Sequence, residues 1–155
     1  MADDRSLTAD ERSLKRVLLV EDDPDVQMVA SLCLSSLGGL SVEVCGSARE
    51  AAQCAPAFKP DLILLDVMMP GTDGFGALDA LRKLPETATT PIVFLTARAQ
   101  PRDMARYRQL GSLGVITKPF DPTTLADTLS ALWQRRLPAG GAPSAAESTE
   151  QVGSQ

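Results

Sequence analysis

The sequence predicts an α/β domain: a doubly wound, open parallel sheet of five strands with helices on both faces. Three observations predict it. Short β-rich apolar runs alternate with helical spacings five times within about 120 residues, the rhythm of βα units. One of those runs, Leu62–Leu65, is unbroken and ends in an acid, as a central strand buried on both faces does. Helix start and stop signals (Asp-Pro pairs, a capping-box pattern, a Gly-Gly pair) fall between the runs rather than inside them.

Taken in order, Arg16–Val20 is the first strand, a short apolar run. Asp23-Pro24 supplies an N-cap and a first-turn proline. Val26, Val29, Ala30, Cys33, Leu34 and Leu37 follow at helical spacing until Gly38-Gly39 ends the run. Ser41–Cys45 reads as the second strand. Ser47-Ala48-Arg49-Glu50 has the form of a capping box, with Ala48, Ala51, Ala52 and Ala55 on one small-residue face behind it. After Pro60, Leu62–Asp66 is the third and most buried strand. Gly71 to Gly74 forms a loop, and Phe75, Leu78 and Leu81 begin the third helix. Ile92–Thr96 is the fourth strand, Pro101–Leu110 a weaker helix, and Gly114–Thr117 a short fifth strand. Asp121-Pro122 repeats the cap-plus-proline start, and Leu125, Leu129, Leu132 and Trp133 carry the last helix inward.

The ends differ from this middle. Residues 1–14 read as a flexible N-terminal segment and 15–137 as the folded domain. The segment 138–155 reads as a disordered tail, rich in Pro, Gly, Ala and Ser and too poor in large apolar residues to offset its ordering entropy. The tail leaves no room for an output module, so a stand-alone domain is expected. At 155 residues one core is enough without disulfides. A net charge of −5 gives no basic footprint for nucleic acid. The absence of histidine removes His-based triads, most zinc sites and a phosphohistidine on this same chain. Three cysteines lack metal-ligand spacing and read as small buried hydrophobes. The polar, acidic start has no signal-peptide core, and no apolar run approaches a membrane span, so a cytoplasmic location is expected.

Open parallel sheets bind ligands at the carboxyl ends of their strands. The residues leaving the strands are Glu21-Asp22-Asp23, then Asp66, then Thr96-Ala97, then Lys118-Pro119. Asp23 is needed as a helix cap. The others bring carboxylates, a hydroxyl and an ammonium to one rim. Clustered carboxylates repel unless a cation neutralises them, and an all-oxygen set suits a hard ion such as Mg²⁺. A carboxylate can accept a phosphoryl group while a metal and a lysine neutralise the charge of transfer.

The segments LLVEDDPD, DLILLDVMMPGTDG, FLTA and TKPFDP resemble, in order and spacing, the motifs of response-regulator receiver domains of two-component signalling. The likeness covers about residues 15–135. It implies a flavodoxin-like sheet in order 2-1-3-4-5 with five helices. It implies that Asp66 is phosphorylated by a sensor histidine kinase or a histidine phosphotransfer protein. Mg²⁺ would be held by Glu21, Asp22, Asp66 and the backbone carbonyl of Met68, with Asp22 a direct ligand. Thr96 would contact the phosphoryl group and Lys118 would pair with the acceptor. A cis Lys118–Pro119 bond is implied as well.

The resemblance makes the chain a switch rather than an enzyme, catalysing only its own phosphoryl transfer and dephosphorylation. Its output would be a protein–protein interaction, through the face of helix four, strand five and helix five, or onward phosphotransfer. An Asp-nucleophile phosphohydrolase would carry a second acid at Met68. In one respect the chain departs from the family. Many receivers place an aromatic residue three positions before the lysine, and its ring swings inward as the strand-four hydroxyl moves. Here that position is Val115. Arg98, Arg102 and Arg106, at i, i+4 and i+8 with Arg108 beside them, form a basic stripe expected to meet an acidic partner if the fourth helix begins that early.

Overall fold

The computed structural model describes residues 13–69 and 74–135. Of the expected end segments 1–14 and 138–155, all but Ser13 and Leu14 lie outside the described residues, as do 136–137 and most of the Gly71–Gly74 loop; Leu14, expected in the loose segment, is buried in the core. Five parallel strands, β1 (Arg16–Val20), β2 (Ser41–Cys45), β3 (Leu62–Asp66), β4 (Ile92–Thr96) and β5 (Gly114–Thr117), form one sheet in the order β2-β1-β3-β4-β5. The helices are α1 (Pro24–Leu32), α2 (Ala48–Phe58), α3 (Gly74–Arg82), α4 (Pro101–Gln109) and α5 (Leu125–Arg135). The doubly wound architecture read from the sequence is the observed one.

Alternation along the strands splits the core in two. Val17, Leu19, Leu62, Leu64, Val93 and Leu95 pack with Ala30 and Leu34 of the first helix and with Leu125, Leu129 and Trp133 of α5. Leu18, Val20, Ile63, Leu65, Ile92 and Phe94 pack with Ala51 and Ala55, with Ala77 and Leu81, and with Tyr107. All five residues of β3 and of β4 are buried. At ~1.5–3 kcal/mol for each large apolar side chain fully buried, these two strands anchor the domain. The small face of α2 is what lets that helix sit close to the sheet.

Four local details differ from the sequence expectation. The first helix ends in a wider turn over Cys33–Leu37, closed by the Gly38 N–H donating to the Cys33 carbonyl five residues back. That turn changes the angular step, so Leu37 is 65% exposed and Leu40 takes its place in the core. Val29 also faces outward, at 40% exposure, one position off the Ala30–Cys33–Leu34 stripe. Gly38 has no room for a side chain: a Cβ there would stand 2.5 Å from the Ala126 Cβ of α5. Gly39 follows with φ +68, the left-handed conformation that glycine adopts without a Cβ penalty.

In α2 the Ser47 hydroxyl caps Glu50 N–H at 3.1 Å, but the Glu50 carboxylate accepts from Gly46 N–H at 2.6 Å instead of closing the box on Ser47. At the other end, α5 starts at Leu125, not at Pro122. The Asp121 carboxylate is engaged by the Thr123 N–H (2.9 Å) and hydroxyl (2.7 Å), and this tight turn delays the helix. The cysteines are free, Cys33 and Cys45 buried and Cys54 half-buried. Among the described residues no helix is long and apolar enough to cross a membrane.

Candidate functional site at the carboxyl edge of the sheet

Parallel strands point all their carboxyl ends the same way, so the residues following β1, β3, β4 and β5 meet on one rim. Register brings them level: Asp66 lies beside Leu95, and Thr96 beside Thr117. The Lys118 N–H donates to the Thr96 carbonyl at 2.8 Å, extending the β4–β5 ladder to the lysine. The Lys118–Pro119 peptide is cis.

Glu21 is fully buried, Asp66 is 1% exposed and Thr96 is fully buried, while Asp22 and Lys118 are half-buried. Carboxylate oxygens of Glu21, Asp22 and Asp66 all lie within 4.8 Å of one another. The Lys118 ammonium sits 3.0 Å from Glu21 Oε1 and 3.4 Å from Asp66 Oδ2. The nearer partner of the lysine is thus the first-strand glutamate, with the third-strand aspartate second. Those same two oxygens are buried and receive no hydrogen bond of good geometry; the lysine reaches them as a charge. Their sister oxygens are held: Glu21 Oε2 accepts from Asp23 N–H at 3.0 Å, and Asp66 Oδ1 from Met68 N–H at 3.0 Å.

The electrostatics follow from burial and crowding. Burial foremost pushes the Glu21 carboxyl up to about 7, against the pull of the Asp23 N–H and Lys118 and with a further push from Asp66. Burial works against charge on Lys118, but the Glu21 and Asp66 carboxylates outweigh it and raise the ammonium's pKa. Three acids facing one ammonium leave negative charge uncompensated. Two acceptor oxygens without hydrogen bonds, in an all-oxygen donor set, fit a small hard cation. Oxygen donors of this kind are the ligands that such an ion takes.

Several contributors were not visible in the sequence motifs. The Gln27 side chain donates to the Glu21 carbonyl at 2.5 Å and pins the turn after β1. Gly74, read as the end of a loop, is the first residue of α3. A Cβ there would stand 2.3 Å from the Asp66 carbonyl oxygen. Met68 is exposed and adjoins the site through its N–H to Asp66. Tyr107 of α4, not singled out by any motif, lies buried against Phe94. Arg98 precedes α4, which begins at Pro101, so the stripe does not start with it. Arg98 instead reaches Asp103 at 3.9 Å, and Arg106 stacks its guanidinium 4.0 Å over the Phe75 ring.

A parallel sheet in the order 2-1-3-4-5 is the flavodoxin-like architecture, the one that receiver domains of two-component signalling share. A profile of the response regulator receiver domain matches residues 17–130, and the chain belongs to that family. Protein PilH of Pseudomonas aeruginosa is 31% identical over 119 residues, 77% of this chain and 98% of that protein. Response regulator Rre1 of Synechocystis is 32% identical over 136 residues, covering 88% of this chain. The chain spans little more than half of several such relatives, 59% of Rre1 and 56% of a probable transcriptional regulator of Porphyra purpurea. Among solved structures, the Vibrio cholerae chemotaxis protein CheY4 superposes with a TM-score of 0.71 at 32% identity, over 77% of this chain and 99% of that one.

Proposed function

We propose that Asp66 accepts a phosphoryl group from a phosphohistidine of a sensor kinase or phosphotransfer protein, and that the resulting charge switches a protein–protein interface or passes onward to another histidine. The observation that carries this is the state of the Asp66 carboxylate: buried, anchored through Oδ1 by the Met68 N–H, and facing the Lys118 ammonium through Oδ2 without a hydrogen bond. A carboxylate oxygen attacks phosphorus, a P–O bond forms, the P–N bond to imidazole breaks, and the bonding pair leaves with the ring nitrogen. The Met68 N–H holds the nucleophile's orientation. Lys118 balances charge on the transferred oxygens. The Thr96 hydroxyl, which now accepts from Arg98 N–H at 2.8 Å, has a proton free to donate to a phosphoryl oxygen. Glu21, Asp22, Asp66 and the Met68 carbonyl would hold Mg²⁺, which supplies electrostatic neutralisation when bound.

The phosphodonor's docking surface is supported by the exposed apolar side chains of the first helix, Met28, Val29 and Leu32, which lie on the element leaving the acid turn. Labelling with acetyl phosphate, with and without Mg²⁺, tests the reading. A Mg²⁺-dependent acyl phosphate on wild type, absent in Asp66→Asn, is the expected result. Equal labelling of the variant would overturn the assignment. Turnover of unrelated phosphate esters would favour a hydrolase, and no reaction a constitutive docking module.

A further inference from the structure

Val115 cannot present the ring that many relatives carry on the fifth strand, yet the same side of the sheet carries an aromatic side chain from another element. Val115 pairs in register with Phe94 and packs against the same cluster as Tyr107. The Tyr107 ring, 2% exposed, lies 5.0 Å from the Phe94 ring centre and 6.2 Å from that of Phe75. Its hydroxyl donates to the Arg98 carbonyl at 2.9 Å. Arg98 is also the residue whose N–H is held by the Thr96 hydroxyl. One residue therefore connects the strand-four hydroxyl, through its own backbone, to a tyrosine of α4. At the other end of the cluster, Phe75 stands 5.7 Å from Phe94, edge-on, and follows Gly74, which lies against the Asp66 carbonyl.

We infer that Tyr107 is the positioning residue that transmits phosphorylation to α4 in this chain, taking the part that a strand-five aromatic plays elsewhere. The inference rests on Asp66 being the acceptor. When the Thr96 hydroxyl turns to donate to a phosphoryl oxygen, its oxygen still holds the Arg98 N–H, so the backbone of the 97–100 loop is drawn with it. The Arg98 carbonyl then moves, and the Tyr107 hydroxyl must follow it or be left without its acceptor. Room for such a shift exists. A cavity of about 350 Å³ opens between Met68, Phe75, Arg98, Arg106 and Tyr107. Movement of α4 would carry its exposed residues Arg102 and Arg106 with it, so the basic surface is repositioned by the same event.

Tyr107 is the chain's only tyrosine, which makes the test direct. The full chain is produced with 3-fluorotyrosine, phosphorylated with acetyl phosphate and Mg²⁺, and followed by fluorine NMR while intact mass reports the phosphorylated fraction. The Tyr107 resonance is expected to move in proportion to that fraction and to stay still in Asp66→Asn. Phosphorylated protein with an unmoved Tyr107 signal would overturn the inference and leave the acceptor reading standing. No phosphoryl uptake at all would overturn both. A second variant, Tyr107→Phe, keeps the ring and loses the hydroxyl. It is expected to take up phosphoryl while amide signals of residues 101–109 lose their phosphorylation-dependent shifts; shifts equal to wild type would remove the hydroxyl from the relay.

Discussion

Gly74→Ala should damage both the fold and the chemistry, and the size of the effect can be worked from the close approach of α3 to β3. The added Cβ would lie 2.3 Å from the Asp66 carbonyl oxygen, 2.7 Å from the Val67 Cα and 3.0 Å from the Asp66 carbonyl carbon. All three are backbone atoms, so no side chain can swing aside. Ordinary carbon contacts begin at ~3.5 Å, so the helix start or the strand end must retreat by roughly an ångström. Overpacking of this kind costs about 1–3 kcal/mol, offset in part by up to ~1 kcal/mol from alanine's better helix propensity. A net loss of ~1–2 kcal/mol is expected, read as a lower urea midpoint with an unchanged slope. The same retreat moves the backbone that carries the acceptor and strains the Gly74 N–H bond to the Val67 carbonyl, now 2.8 Å. Misplacing a reacting group by about 1 Å can cost ~10²-fold, so acetyl phosphate labelling should slow by far more than the stability loss explains. A variant with wild-type midpoint and wild-type labelling rate would refute the reasoning.

Three further outcomes are expected. Asp22→Asn should weaken Mg²⁺ binding at least ~10-fold, about 1.4 kcal/mol, by calorimetry; unchanged affinity would take Asp22 out of the ion's ligand set. Glu21 holds its proton up to about pH 7 when folded and releases it near 4.5 when unfolded, so the native state binds more protons between those values. Glu21's contribution to metal-free stability should therefore be complete below that window and be lost as pH rises through it, so Glu21→Gln should make the midpoint less dependent on pH across 4.5 to 7; denaturation midpoints across the pH series decide. Replacing Arg102 and Arg106 with Ala should slow association with an acidic partner and reduce the salt dependence of its on-rate, both measured by stopped flow; an unaltered salt slope would leave those arginines without a role in recognition.

What the sequence made legible is what repeats or what a motif demands. The uninterrupted Leu62–Leu65 run announces a central strand, and that strand, with the order of acids, hydroxyl and lysine after the others, locates the rim. The losses are of two kinds. Helical spacing assumes a constant angular step, so Leu37 was expected inside, and the wide turn at Cys33–Leu37 put it out. Cap residues serve whichever donor is nearest, so Asp121 closed a turn on Thr123 and Glu50 reached past Ser47 to Gly46. Tyr107 was invisible for a different reason. Its meaning comes from a carbonyl nine residues away and from two rings on other elements, and no local pattern encodes such a meeting.

The contact at Gly38 makes one seam of the domain stiff. On the side of the first helix and α5, a missing methyl is all that separates Gly38 from Ala126, and Trp133 ties α5 to the Asp61 carbonyl through its indole N–H at 3.2 Å. Close-packed seams of this kind barely compress and transmit load as a solid does. Nearer the rim the packing opens on both sides, with about 490 Å³ between Val26, Val29, Lys118 and Phe120 and about 350 Å³ beside α4. A push delivered at the rim therefore meets slack first, and an anvil only deeper, where Gly38 and Trp133 close the seam.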